Sequence, residues 1–321
     1  MTTHMKYRLD IAGLRAVAVL PILLFHAGVS MLSGGFVGVD IFFVISGYLI
    51  TTIIQREITA GTFSMMEFYR RRVARIVPAL LAVLAATMVA GSLLMLPPEI
   101  RQLAPSVASA AAFASNFYFL FTADYFGAAA ETLPLLHTWS LAIEEQFYIF
   151  FPVILLLVHR FKAFSARTAV AAISALSLAA AFAFAHVKPE AAFYLIPARA
   201  WELGLGAFVA LGGFPVLGSA LLRNLASALG LGLIVVSIFT FNPGPLFPAP
   251  LAVIPCLGAA LLIAYGREAP TSSLLSLRPM QFVGDISYSL YLWHWPIITF
   301  YRLQTGIELD WVETLVLVLA S

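Results

Sequence analysis

Long apolar runs recur from one end of this chain to the other, at about 11–29, 37–55, 76–96, 140–158, 168–186, 194–212, 224–241, 250–265, 281–303 and from 309 onward. A run of about 18 or more apolar residues reads as a membrane span. Backbone in lipid finds no water for its N–H and C=O groups, so each such run closes its hydrogen bonds on itself as a helix. The expected fold is all-α: a polytopic integral membrane helical bundle of about ten transmembrane helices. Composition agrees, with 61% hydrophobic and 11% charged residues among 321, where soluble domains carry about 25% charge. A net charge of +2 gives no reason to expect nucleic acid as a partner, and the single Cys256 excludes an intrachain disulfide or a cysteine metal cluster. No metal site is expected.

Charge position sets the topology. With Lys6 and Arg8 in the cytoplasm, the second span returns Arg56, Arg70, Arg71, Arg72 and Arg75 to the same side, as the positive-inside rule requires. A further run at about 104–122 is interrupted by Ser106, Ser109, Ser115 and Asn116. If it crossed, Arg160, Lys162 and Arg167 would fall outside; if it does not, they lie inside with Arg223, Arg267 and Arg278. The segment 97–139 is therefore expected to be an external or re-entrant excursion. The first run is longer than a signal-peptide core and is followed after a short turn by a second span, so it reads as a retained helix. Leu309 to Ser321, at about 1.5 Å per residue, is too short to cross a core of about 30 Å, so a further span is expected beyond it. No repeat or Gly/Ser linker divides the chain, and one membrane domain over 1–321 is expected.

Ionisable residues inside apolar runs are candidate functional groups. Arg15 and His26 stand eleven positions apart, nearly on one helical face and about 16 Å apart along the axis. They read as two ends of one elongated site, although Arg15 also suits a snorkelling anchor and His26 a packed histidine. Asp40 opens the second run and needs a partner. His26 is the nearest candidate by topology, which would make the pair an oriented general base; a helix cap is the alternative. Arg72 and Arg75, three apart at the cytoplasmic mouth, suit either topological retention or a phosphate clamp. Phosphates at that mouth and a reactive end near His26 match the layout of acyl-coenzyme A. In HTWSLAIEEQFYIFFP, Ser140, Glu144 and Tyr148 form a polar stripe at i, i+4 spacing beside Glu145, while Trp139 and Tyr148 also fit an aromatic belt. Arg199 with Glu202, and Asp285 with His294, read as structural ion pairs or acceptor-site residues. Walker, HExxH, GxSxG and post-strand GxGxxG motifs are absent from the sequence.

Together these residues resemble the acyltransferase family 3 membrane proteins, which include O-acetyltransferases of bacterial surface polysaccharides. The resemblance covers nearly all of the chain. It rests on R-x10-H at Arg15 and His26, R-x-x-R at Arg72 and Arg75, W-x-L-x-x-E-x-x-F-Y from Trp139 to Tyr148, and G-V-D-x-F-F-x-I-S-G from Gly38 to Gly47. The opening YRLDIAGLRAVAV and HTWSLAIEEQFY look most like members carrying an extra span and a C-terminal extracytoplasmic SGNH domain, which these residues do not include.

The resemblance implies an acetyl-CoA-dependent O-acyltransferase of the cytoplasmic (inner) membrane. It would move an acyl group, usually acetyl, to a hydroxyl of a surface glycan, free or lipid-linked, such as lipopolysaccharide O-antigen. His26 would then be the catalytic base or transient acyl carrier, supported by Arg15, Asp40 and Glu144, and Arg15, Arg72 and Arg75 would hold the donor. Trp139, Tyr148 and His294 are candidates for the acceptor side. Acyl-CoA is expected as co-substrate, with no permanently bound cofactor. The competing class is a transporter or flippase of a glycan or acyl group, since such proteins also bury charges near the bilayer midplane.

Overall fold

The computed structural model describes residues 8–123, 132–161, 164–244, 247–305, 313–314 and 316–317, and the described residues are helical with no strand. The helices in chain order are α1 (Leu9–His26), α2 (Gly38–Thr59), α3 (Met65–Leu94), α4 (Pro97–Ala111), α5 (Ser115–Thr122), α6 (Thr138–Phe161) and α7 (Ala166–Val187). There follow α8 (Pro189–Tyr194), α9 (Ile196–Ala210), α10 (Ala220–Thr240), α11 (Val253–Tyr265), α12 (Pro270–Leu275) and α13 (Arg278–Thr305). The expected calls on Lys6, Lys162 and nearly all of the run from 309 lie outside the described residues.

Among the described residues six helices, α1, α2, α3, α6, α7 and α10, have the length and apolarity to cross a membrane. The chain is a multi-pass membrane protein, and this count is below the expected ten. The runs near 194–212 and 250–265 are helical as α9 and α11, but these have only 15 and 13 residues, about 22 and 20 Å against a hydrocarbon core of about 30 Å. The run at 281–303 lies within the 28 residues of α13, whose apolar surface is interrupted by buried Ser287 and His294. The run at 104–122 is two helices, α4 and α5, broken near Phe113, whose φ is +52°. Neither piece, at 15 and 8 residues, is long enough to cross.

The largest shift from expectation is α3. It begins at Met65, eleven residues before the apolar run, capped by Ser64 accepting from the Glu67 N–H at 3.4 Å. Hydropathy marks only the part of a helix that lies in lipid. The 30 residues of α3 extend about 45 Å, so its arginine-bearing first turns project beyond the apolar core. Glycines at left-handed φ end three helices, Gly28 (+86°) after α1, Gly61 (+68°) after α2 and Gly212 (+71°) after α9.

Close helix crossings set the bundle. At α2 against α9, a Cβ on Gly47 would lie 1.8 Å from Leu203 O, and one on Gly206 1.9 Å from Val44 O. At α1 against α13, a Cβ on Gly284 would lie 1.8 Å from Ala12 O. Small residues at such crossings are how helices gain packing energy where lipid supplies no hydrophobic drive. The two crossings bring α1, α2, α6, α9 and α13 around one interior, with α3 closing it beside α13.

Candidate functional site

A cavity of about 550 Å³ opens between α1, α2, α3, α6 and α13. Five arginines line it: Arg8, Arg15, Arg72, Arg75 and Arg267. Arg8 precedes Arg15 by seven positions, two helical turns, so both face the same side. Arg8 is held in place by a fork onto Asp10, Nε to Oδ1 at 2.8 Å and Nη2 to Oδ2 at 2.6 Å, and donates to Tyr48 OH at 3.1 Å.

The basic cluster on α3 divides into two sets. Arg70 pairs with Glu67 at 2.7 Å and Arg71 with Glu57 at 2.7 Å, all at exposed or half-exposed positions. Arg72 and Arg75 turn into the cavity, where no carboxylate among the described residues lies within ion-pair distance of either. Instead Arg72 lies over the Tyr148 ring, 5.6 Å from its centre. The helical spacing of the R-x-x-R motif joins Arg72 and Arg75: positions three apart share a face, while Arg70 and Arg71, which precede the motif, pair outward.

Across the cavity, α6 presents the expected polar stripe. Glu144 Oε1 accepts from Ser46 Oγ at 2.5 Å and from the Tyr148 hydroxyl. Glu145 lines the same wall, and its buried Oε1 has no hydrogen-bond partner among the described residues. Tyr148 thus lines the same cavity as the arginines. Trp139, the other belt candidate, is buried away from the cavity. Its ring and those of Phe43, Phe193 and Phe247 surround the Arg199 guanidinium, with ring centres 5.6 to 5.9 Å from Cζ.

Asp40 does not partner His26. Its Oδ1 accepts from Arg199 Nη2 at 2.8 Å, and Arg199 Nη1 lies 3.0 Å from Glu202 Oε1, all three side chains being fully buried. The reason is azimuth. Gly38 sits against α1, where a Cβ would meet Ala18 O at 2.1 Å, and Asp40, two positions on, is turned by about 200° toward α9. The Arg199 and Glu202 pair is structural, as one of the two readings held.

His26 lies behind the cavity, and neither it nor His294 is among the lining residues. Its Nδ1 is 3.0 Å from His294 Nε2, with the two ring planes 9° apart. His294 Nδ1 is 2.8 Å from Tyr291 O and 3.1 Å from Leu290 O. Both nitrogens of His294 are therefore engaged, one of them by His26. Trp295 packs edge-on against His26 at 4.5 Å, and Arg302 Nη2 donates to the His26 carbonyl at 2.8 Å, anchoring the end of α1. The cavity wall nearest this pair is Tyr291 and Ser140, whose hydroxyls are 2.6 Å apart, with Tyr291 OH also donating to His137 O at 3.0 Å. The expected elongated site is thus two compartments, an arginine-lined cavity and a histidine pair, with Tyr291 between them.

Sequence reasoning singled out Arg15, Arg72, Arg75, Glu144 and Tyr148, which the structure brings to one cavity, and did not assign Arg8, Arg267, Ser46 or Tyr291 to a site. The seven-residue spacing to Arg15 would have found Arg8. Arg267 reaches the site from the turn after α11, which no local spacing reveals. Among the described residues no three His, Cys, Asp or Glu side chains are grouped to hold a metal ion.

A family model described as an acyltransferase domain matches residues 8–321. The chain is 33% identical to the O-acetyltransferase OatA of Staphylococcus aureus (strain NCTC 8325 / PS 47) over 317 residues, covering 92% of this chain and 51% of that protein. It is 32% identical over 311 residues to the peptidoglycan O-acetyltransferase OatA of Listeria monocytogenes serovar 1/2a, covering 92% of this chain and 50% of that one. BcsY of Komagataeibacter xylinus, described by its name as a membrane-bound transacylase, is 35% identical over 292 residues, covering 90% and 72%. The chain spans about half the length of the two OatA proteins. No solved structure matches.

Proposed function

The chain belongs to the acyltransferase family whose domain model spans it, and from that premise we propose that it transfers an acetyl group from cytosolic acetyl-CoA to a hydroxyl of a cell-envelope glycan. The donor's phosphates lie against Arg15, Arg72 and Arg75, with Arg8 and Arg267 completing the basic ring. The acyl arm points along α1 toward His26, whose imidazole acts on the acceptor hydroxyl or on the acyl carbon. Glu144, held by Ser46, keeps Tyr148 beneath Arg72 and shapes the polar wall. Tyr291 swings aside to admit the thioester to the histidine compartment. The membrane is the cytoplasmic one with the N-terminus inside, and the 28-residue α13 adds a crossing to the six long apolar helices. The acceptor is peptidoglycan, by analogy with the name of the Listeria relative, or lipopolysaccharide O-antigen, as the sequence resemblance suggests.

The observation that carries this reading is the division of the α3 arginines. Retention at the cytoplasmic face needs only positive charge near the membrane, and Arg70 and Arg71 supply that while paired outward. It gives no reason to aim Arg72 and Arg75 into a cavity whose carboxylates, Glu144 and Glu145, lie beyond ion-pair distance of them. Guanidinium forks there match phosphate oxygens.

The test is isothermal titration of acetyl-CoA into the purified protein, with acetyl transfer followed in parallel. Each of Arg72→Ala and Arg75→Ala is expected to weaken donor affinity by about tenfold or more, the loss of one charge-assisted hydrogen bond. Arg70→Ala is expected to bind as wild type, and His26→Ala to bind but not transfer. Equal affinity in the Arg72 and Arg75 variants would return the cluster to a purely topological role, and no binding in the wild type would favour the transporter class.

A further inference from the structure

The tautomers of the histidine pair follow from its neighbours. His294 Nδ1 faces two backbone carbonyls, Tyr291 O at 2.8 Å and Leu290 O at 3.1 Å. Carbonyls only accept, so Nδ1 carries the proton. In neutral His294 the lone pair is then on Nε2, 3.0 Å from His26 Nδ1. That contact is a hydrogen bond only if His26 carries its own proton on Nδ1. The remaining nitrogen of His26, Nε2, is left with the lone pair. His137, the third histidine of the cluster, bonds through its Nε2 to Leu292 O at 3.1 Å and makes no hydrogen bond to either ring.

Resting on the acyl-transfer reading of His26, we propose that His294 is the positioning residue that fixes His26 as the Nδ1–H tautomer and takes up that proton during the reaction. As the acceptor hydroxyl attacks the acyl carbon, its proton passes to His26 Nε2 and the His26 Nδ1 proton passes to His294 Nε2. The imidazolium charge then rests on His294, whose Nδ1–H is held by two carbonyl dipoles. When the C–S bond breaks, His294 returns its proton to His26 Nδ1. His26 Nε2 then protonates the departing sulfur, and the products are ester and free thiol with both histidines restored. Direct attack of Nε2 on the acyl carbon would need the same lone pair. The role matches that of a carboxylate behind a catalytic histidine. Here a second imidazole fills it, and Asp40 is committed to Arg199.

The contact is also built into the fold. His294 is completely buried, and the α1 and α13 crossing that holds it against His26 depends on Gly284 meeting Ala12. His26 itself is half-buried.

Two substitutions separate the parts. His294→Gln places an amide oxygen where Nε2 lay, so it still accepts from His26 Nδ1 but cannot take the proton; His294→Leu does neither. Transfer from acetyl-CoA to an N-acetylglucosamine oligosaccharide in proteoliposomes is expected to lose about 100-fold or more in kcat for His294→Leu. His294→Gln is expected to fall between wild type and Leu, and KM for acetyl-CoA to stay unchanged in both. Solid-state 15N NMR of histidine-labelled protein, with His26 assigned by difference from His26→Ala, is expected to show His26 protonated at Nδ1 in wild type and in the Gln variant, and mixed tautomers in the Leu variant. Protonation of His26 at Nε2 in wild type overturns the proposal. So does a Leu variant with kcat within about threefold of wild type, or equal losses in Gln and Leu accompanied by lost donor binding. The NMR arm reads the tautomer whether or not acetyl is transferred, so a failure here is distinct from a failure of the acyltransferase reading.

Discussion

Burying Asp40, Arg199 and Glu202 together where α2 meets α9 commits their charges to one another and to the fold. Removing the Asp40 carboxylate strips Arg199 Nη2 of its 2.8 Å hydrogen bond inside the bundle, and a buried donor left unsatisfied costs about 1–3 kcal/mol. Asp40→Leu is accordingly expected to lower the yield and thermal stability of detergent-purified protein, read by unfolding of the purified variant. Whatever folds should show the wild-type pH dependence of transfer. A stable Asp40 variant with a displaced pH profile would instead tie this carboxylate to His26. That a buried aspartate needs a partner was legible in the sequence; which partner was not. A short turn tells how deep two residues lie but not which way each faces, and Asp40 points about 200° away from the residue that touches α1. The same blindness hid His294, which stands 268 positions from His26. Arg15, Arg72, Arg75, Glu144 and Tyr148 were easier, because each sits at helical spacing from another member of the site.

Helix pairs translate glycine positions into active-site distances. α13 can approach α1 closely enough for the histidine contact because Gly284 has no side chain to meet Ala12 O, where a Cβ would lie 1.8 Å away. Gly284→Ala must push the two helices apart, an overpacking change that costs about 1–3 kcal/mol. It is expected to lower thermal stability and, in the folded fraction, to reduce kcat more than acetyl-CoA affinity, since the arginine-lined cavity is set mainly by α2, α3 and α6. Wild-type kcat in a destabilised Gly284→Ala would show that the crossing does not govern the histidine pair. At this scale hydropathy was informative for α1, α2, α6, α7 and α10, whose apolar runs and helices nearly coincide. It failed for α3, where charged helical turns lie outside lipid, and for α4 and α5, where the break at Phe113 divides one apolar run. For α13 the run at 281–303 falls inside the helix, yet the helix is not among the long apolar ones, with Ser287 and His294 on its buried side. A helix that carries a site inward keeps polar residues on its buried side and scores as a poor span.

For the molecule as a whole, the decisive relation is between the arginine-lined cavity and the two sides of the membrane. On the proposed donor, acyl-CoA of the cytosol, the cavity mouth formed by the first turns of α3 faces that side and the turn between α1 and α2 faces the other. Two exposed methionines mark these ends. Met31 lies in the turn before α2 and Met66 in the first turn of α3, with relative exposures of 70% and 79%. The one native cysteine, Cys256, is fully buried, so the wild-type protein gives a silent background for thiol labelling. With a membrane-impermeant maleimide, Met31→Cys is expected to be labelled in intact spheroplasts. Met66→Cys should be labelled only in inside-out vesicles or after permeabilisation. Both substitutions fall at exposed positions away from the cavity lining, so each variant should keep its donor binding and serve as its own control. The reverse pattern would place Arg72 and Arg75 at the outer surface, where cytosolic acyl-CoA cannot reach them, and would overturn the donor assignment even if the protein proved to be a transferase. The expected pattern leaves His26 toward the outer half of the bilayer, about 16 Å along α1 from Arg15. From there an acetyl group carried inward past Tyr291 arrives on the side where an envelope glycan lies.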